Sequence, residues 1–142
     1  MSYGTANEVK ASFDNVYIAP TPHQYISLMA KIGYEISDQA RPYCTAAAGL
    51  LREHNGNAWP VQMLDVGCSY GIGAAVVKYG RRFDEIEAFF APHAPKEYHA
   101  MCEATRMWLN IVRPPTCDVR AVGLDSSQPA IRFALDLSLI HI

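Results

Sequence analysis

The residues best placed for chemistry lie in the stretch Met63-Leu-Asp-Val-Gly-Cys-Ser-Tyr-Gly-Ile-Gly73. Gly67, Gly71 and Gly73 would let the backbone turn sharply and approach a ligand without a Cβ in the way. Asp65 stands just ahead of them, one residue before the end of an apolar run. A second apolar run, Asp118 to Leu124, ends in Asp125-Ser126-Ser127. Nucleotide folds use acids at the carboxyl ends of strands, with a glycine turn opening into a helix. That order brings backbone N–H groups, a helix N-terminus and a ribose-binding carboxylate to one crevice. The plain alternative is a strand–turn–helix with two surface acids.

The elements that must position these residues can be read from periodicity. Pro60 marks the start of a strand over Val61 to Val66. Ile72, Ala75, Val76 and Tyr79 then give a helix an apolar stripe, with Gly80 at its end. Ahead of the strand, Thr21 as N-cap, Pro22 at the first helical position and Gln24 start a helix whose face is Tyr25, Leu28, Met29 and Ile32, with Gly33 closing it. A second helix has Ile36, Ala40, Tyr43, Ala47, Leu50 and Leu51 on one side and Gly56 beyond it. Pro42 lies within, so that helix starts there or kinks. Asp84 and Glu87 resemble a capping box for a short helix carrying Ile86, Phe89 and Phe90. Tyr98, Met101, Cys102, Thr105, Leu109 and Val112 form a further amphipathic face, stopped by Pro114-Pro115. Ala130 to Leu137 is again helical, and Phe90 and Trp108 read as packing residues. Ser2 to Val16 reads as a loose polar leader.

Composition narrows the classes. The chain has 142 residues, half of them hydrophobic, and a formal net charge of −2. One domain with a substantial core is affordable, and no basic block marks a nucleic-acid surface. Arg81-Arg82 reads as a solvated helix end. Cys44, Cys68, Cys102 and Cys117 are scattered, which suits free thiols and a cytoplasmic setting. The histidines show no metal-ligand spacing with them. Met1 to Lys10 lacks the apolar stretch of a signal peptide, and no apolar run approaches a membrane span.

Leu64-Asp65-Val66-Gly67-Cys68-Ser69-Tyr70-Gly71 resembles the first signature of the class I S-adenosylmethionine-dependent methyltransferases. Val122-Gly123-Leu124-Asp125-Ser126-Ser127, followed by Pro129-Ala130-Ile131, resembles their second. The resemblance covers about a quarter of the chain. It implies an α/β fold: a Rossmann-like, three-layer arrangement with helices on both faces of a mostly parallel sheet. It also implies S-adenosyl-L-methionine as cofactor and a small-molecule methyl acceptor as partner. Asp65 and the backbone of Gly67, Cys68, Ser69, Tyr70 and Gly71 would border the methionine part. Asp125 would bind the ribose, and Ser126 and Ser127 would lie near the adenosine. Two departures stand out. Ser69 occupies a position where the family usually has glycine. Asp125 also comes much later than the usual spacing of about 20 residues, because a helical insert over 81–117 intervenes.

The same turn, read as Gly67-Cys-Ser-Tyr-Gly71-Ile-Gly73, also resembles that of the short-chain dehydrogenases, which bind a nicotinamide dinucleotide. That alternative sets Asp65 beside a pyrophosphate, where like charges repel, and has Val66 where Thr is usual. A non-catalytic helical interaction module is a third reading. The expected layout is a leader and helices over 1–60, then the first part of the cofactor domain over 61–142, truncated after its second strand. Leu137-Ser-Leu-Ile-His-Ile142 resembles translated adapter read-through, which makes His141 incidental. His23, Tyr17 and Tyr25 could form a lid, or simply a helix packed on the sheet. No catalytic residue is assigned.

Overall fold

Two apolar hexapeptides, β1 (Val61–Val66) and β2 (Val119–Leu124), pair in parallel in a computed structural model, which describes residues 15–56, 60–112 and 118–141. Asp65 lies opposite Gly123 and Val66 opposite Leu124, so both strands end at one level. Their side chains alternate with the period of two that a pleated strand imposes. Val61, Val119, Ala121 and Gly123 are buried inward, whereas Leu64, Val66 and Leu124 face outward and are exposed. Parallel strands are ordinarily covered on both faces; among the described residues only one face is.

The inner face is covered by α3 (Ile72–Tyr79), which runs between two left-handed glycines, Gly71 (φ +78) and Gly80 (φ +62). The expected stripe widens, because Ala74 and Val77 are buried as well. The reason is a second neighbour: α2 (Ile36–His54) packs against α3 as well as β1. Helix α2 is continuous through Pro42. It does not bury the face that its large residues predict. Ser37 and Ala48 are buried, with Cys44 packed beside Ala48, Val61 and Val77, while Ile36, Tyr43, Leu50 and Leu51 are exposed. Small side chains admit the close approach to α3 that Tyr43 or Leu50 would block. Arg41 then donates to the Gly80 carbonyl at 3.0 Å, at the C-terminal end of α3.

Helix α1 (His23–Lys31) starts later than its predicted cap. Pro22 itself is the N-cap residue, so the Thr21 hydroxyl is one position too far back and pairs with His23 Nδ1 at 3.1 Å instead. Gly33 (φ +67) ends the helix, with Tyr34 N donating to Met29 O at 3.0 Å. Ile32 therefore falls outside the helix and is exposed rather than buried.

Two helices occupy the segment read as an insert: α4 (Phe83–Phe89) and α5 (Tyr98–Met107), the latter continuing into a π-helical turn, Trp108–Val112. Helix α4 begins at Phe83, so its third residue is Glu85, and it is Glu85 rather than Glu87 that accepts from Arg82 N (2.8 Å). The Asp38 carboxylate of α2 accepts from Phe83 N at 3.0 and 3.2 Å. Glu97 caps α5 by accepting from His99 N and Ala100 N. Met101, Cys102, Thr105 and Leu109 are buried as their spacing predicts. Phe89 stacks on Trp108 with centroids 4.5 Å apart, and the Arg81 guanidinium lies 4.0 Å from the same indole. Pro114-Pro115, Cys117, the Val112 side chain and most of the leader lie outside the described residues.

Helix α6 (Gln128–Asp136) follows β2, with Ser127 as its N-cap. Beyond it Leu137, Leu139 and Ile140 are buried, and His141 bridges to Val122 in parallel. An apolar run beside an open strand edge is drawn there by burial and by the edge's unpaired backbone groups. The larger of two buried clusters joins Tyr25, Ile26 and Met29 of α1 to Tyr70, Val76 and Phe133, and the smaller holds Ala48, Val61, Val77 and Val119. Among the described residues, no helix is long and apolar enough to cross a membrane.

Candidate functional site

The turn after β1 is sewn to the end of β2. Gly67 N and Cys68 N both donate to Leu124 O, at 2.7 and 3.3 Å. Ser69 N donates to Asp125 Oδ2 at 2.8 Å, and Gly71 N to Cys68 O at 2.8 Å. The amides of these four residues are thus bonded within the protein, contrary to the expectation of an open amide cradle. Ser69 takes the left-handed conformation (φ +46) despite its side chain. Asp125 Oδ1 accepts from Ser127 N at 2.8 Å, so this half-buried carboxylate clips the two strand-end loops together. A carboxylate oxygen has capacity for a further donor, and a ribose hydroxyl could supply one.

Asp65 points inward from β1 over the first turn of α3. A Cβ built on Gly73 would lie 3.0 Å from Asp65 Oδ2, so glycine there makes room for the carboxylate. A carboxylate at a helix N-terminus is favoured by the helix dipole, and here it occupies the seat that a bound anion would take. Among the described residues, Asp65 Oδ2 is buried without a hydrogen-bond partner, and so is Ser69 Oγ. Burial, and then the nearby charge of Asp125, push the Asp65 carboxyl above the ordinary carboxylate range.

A cavity of about 350 Å³ opens beside these groups, lined by Asp65, Gly67, Cys68 and Ser69 together with Tyr25 and Tyr34. No Lys, Arg or His lines it among the described residues. The phenol of Tyr25 is pushed well up, chiefly by burial, and the Ser69 hydroxyl eases that rise without meeting it in hydrogen-bond geometry. The Tyr34 hydroxyl pairs with Ser37 Oγ at 2.9 Å. Cys68 is buried, and burial, followed by the charges of Asp65 and Asp125, pushes its thiol up to about 11, which removes it as a nucleophile. No group of three or more His, Cys, Asp or Glu among the described residues could hold a metal ion.

Other residues singled out by the sequence do different work. Tyr70 is 1% exposed, and its hydroxyl donates to Ala19 O (2.7 Å) and Val16 O (3.1 Å). Its ring packs between those of Tyr25 and Phe133. The Ser127 hydroxyl donates to Tyr17 O, and Tyr17 leans on Tyr25 with centroids 5.4 Å apart. The side chains of Tyr70 and Ser127 therefore anchor the segment 15–20 beside the strand ends, whereas Ser126 is exposed. Tyr34 and Ser37 were not anticipated. Their only sequence signal is their place just beyond Gly33, which swings them towards β1. A larger groove of about 740 Å³ runs between α1 and α4, lined by His23, Lys31, Asp84, Glu87 and Lys96, and no strand residue reaches it.

Comparisons with protein families, curated proteins and solved structures found no match.

Proposed function

We propose that the chain is the cofactor-binding part of an S-adenosylmethionine-dependent methyltransferase with a Rossmann-like fold. The observation that carries this reading is Asp65, whose Oδ2 is buried with no hydrogen-bond partner among the described residues, in the wall of a cavity whose described lining has no basic residue. An unpaired buried charge is costly, and a cationic ligand offsets that cost where a phosphate would add to it. Three further points support it. The turn amides are spent on Leu124, Asp125 and Cys68, which leaves little for a pyrophosphate. Asp65 already sits at the head of α3. The bare sheet face at Leu64, Val66 and Leu124 is what the second helical layer of a three-layer sandwich would cover.

The residues present fit such a cofactor as follows. Asp65 would meet its positively charged end, with Ser69 Oγ as a second acceptor. The half-buried Asp125 would accept from a ribose hydroxyl, and the Tyr25 and Tyr34 rings would shield the site from water. The chemistry supplied there is transfer of a methyl group from sulfonium sulfur to an acceptor's lone pair, the sulfur departing as a neutral thioether. The protein's part is alignment and exclusion of water. The acceptor is proposed to be a small molecule.

Titration calorimetry tests the reading. Heat on adding S-adenosylmethionine, with none on adding NADH, is the expected result. Heat from NADH alone would transfer the chain to the dinucleotide-binding oxidoreductases. Heat from neither, on a folded chain, would favour an interaction module.

A further inference from the structure

We propose that α2 is a dimerisation surface: a second copy of this chain lays its own α2 antiparallel along the stripe of Ile36, Ala40, Tyr43, Ala47, Leu50 and His54. The pair would form whether or not the chain binds a cofactor.

Helix α2 carries two stripes. Ser37, Cys44 and Ala48 lie on one, and Cys44 and Ala48 pack with Val61 of β1 and Val77 of α3. The apolar stripe lies roughly a quarter-turn further round, because each helical residue advances by about 100°. Its large members, Ile36, Tyr43 and Leu50, are 68%, 78% and 68% exposed. Single exposed apolar side chains are ordinary. A row of them along one helix face marks a surface for a partner.

The order of residues says which partner. From Ile36 to His54 the stripe advances by four, three, four, three and four positions, the interval that keeps a seam turned towards another helix. Bulky Ile36, Tyr43 and Leu50 alternate along it with small Ala40 and Ala47. Placed antiparallel about a two-fold axis near Thr45, Tyr43 meets the second copy's Ala47, and Leu50 meets its Ala40. Each pairing then occurs twice, as a two-fold interface requires. A parallel pair would instead set Tyr43 on Tyr43 and Ala47 on Ala47, crowding one level and leaving a gap at the next. Charge does not oppose the contact. Glu35, Asp38, Arg41, Arg52 and Glu53 all fall on other sides of the helix, so like copies do not repel across the seam, and interface cores are depleted in charge. Antiparallel helix dipoles also favour the pair.

Size sets the strength. The 19 residues of α2 give a seam about 28 Å long. Two single helices bury less than the roughly 1,600 Å² of a standard interface. The dimer should therefore be weak, with a dissociation constant on the order of tens of micromolar.

Sedimentation equilibrium of the chain over a concentration range that brackets this value tests the proposal. The mass should rise from 15.7 kDa towards twice that value. Tyr43→Glu and Leu50→Glu should each stay monomeric. Thr45→Glu, on the opposite side of the helix, should dimerise like the parent, with circular dichroism confirming the fold of each. An exchange of sizes reads the direction of pairing. Tyr43→Ala and Ala47→Tyr should each weaken the dimer about tenfold, and the two together should return it to within about threefold of the parent. A parent that stays monomeric throughout would overturn the proposal, and so would a dimer that survives both glutamate variants. Growth beyond twice the chain mass would overturn a closed two-fold pair. A dimer lost in Leu64→Glu but kept in the α2 variants would overturn it in favour of the bare sheet face. A double exchange no tighter than either single change would overturn the antiparallel register.

Discussion

The amide of Ser69 donates to Asp125 Oδ2 across 2.8 Å, joining residues 56 positions apart in the chain. One carboxylate thus fixes the turn after β1 to the turn after β2, since its other oxygen accepts from Ser127 N. Asp125 was expected as a ribose ligand; it is first a clip that holds the two strand ends at a common level.

Removal of that clip has a cost in stability as well as in binding. Asp125→Ala leaves two backbone N–H groups without their acceptors, and charged hydrogen bonds of this kind contribute about 1–3 kcal/mol. Urea unfolding should show a loss of that size, and adenosyl binding should weaken by a similar amount. A variant as stable as the parent would show that the loops are held by the Leu124 carbonyl alone.

Gly67 and Gly71 have nearly the same left-handed backbone, φ +76 and +78, but different surroundings. A Cβ at Gly67 meets nothing within 4 Å among the described residues, whereas one at Gly71 would lie 3.1 Å from the Ala134 Cβ. Gly67→Ala should therefore cost only the left-handed penalty, about 1–2 kcal/mol. Gly71→Ala should cost roughly 1–3 kcal/mol more, because α6 must shift to make room. Chemical denaturation of the two variants gives the comparison, and equal losses would mean that α6 yields freely.

Much of this arrangement was legible because it is local. The run from Val61 to Gly80 carries its own strand period, turn glycines and helix stripe, and each is found where the residues put it. Elements whose inward face depends on a distant neighbour were less legible. Helix α2 was found where expected, but Ser37 and Ala48 face the core and Tyr43 does not, because close packing against α3 favours small residues over hydrophobic ones. The same holds at the site. Asp65 and Asp125 were visible as strand-end acids, and Gly73 as part of the turn. No spacing rule could reveal that Gly73 makes room for the Asp65 carboxylate, or that Tyr34 would line the same cavity. The side chain of Tyr70, inside the signature itself, faces the core instead of a ligand.

Asp65 makes the unliganded chain pH-sensitive in a direction opposite to a salt-bridged acid. Its folded-state pKa is raised, by burial and then by Asp125, above the unfolded value of 3.8. Between those two values the native state binds more protons than the unfolded chain, so stability falls as pH rises through that window. Above the folded pKa the full penalty is in force, and below about pH 3.8 it vanishes. Asp65→Asn should accordingly be more stable than the parent at pH 7, with the advantage shrinking as the pH is lowered. Thermal unfolding of both proteins across that range checks the sign, and an advantage that grew on acidification would contradict it.

Ser69 carries a penalty that substitution can remove. Its backbone is left-handed (φ +46), and its buried hydroxyl has no hydrogen-bond partner among the described residues. Left-handed geometry costs a non-glycine residue about 1–2 kcal/mol, and an unsatisfied buried polar group about 1–3 kcal/mol. Against these stands the extra freedom that glycine gives the unfolded chain, about 0.5–1 kcal/mol. Ser69→Gly should therefore stabilise the unliganded protein by about 1 kcal/mol or more, because both native-state penalties disappear while Asp125 keeps its amide donor. If the hydroxyl serves as an acceptor for a cationic ligand, the same change should weaken adenosyl binding, so that stability and affinity move in opposite directions. Urea unfolding and calorimetry on one preparation give both quantities. A variant that lost stability would show that the serine side chain holds the turn in a way its unpartnered oxygen does not suggest.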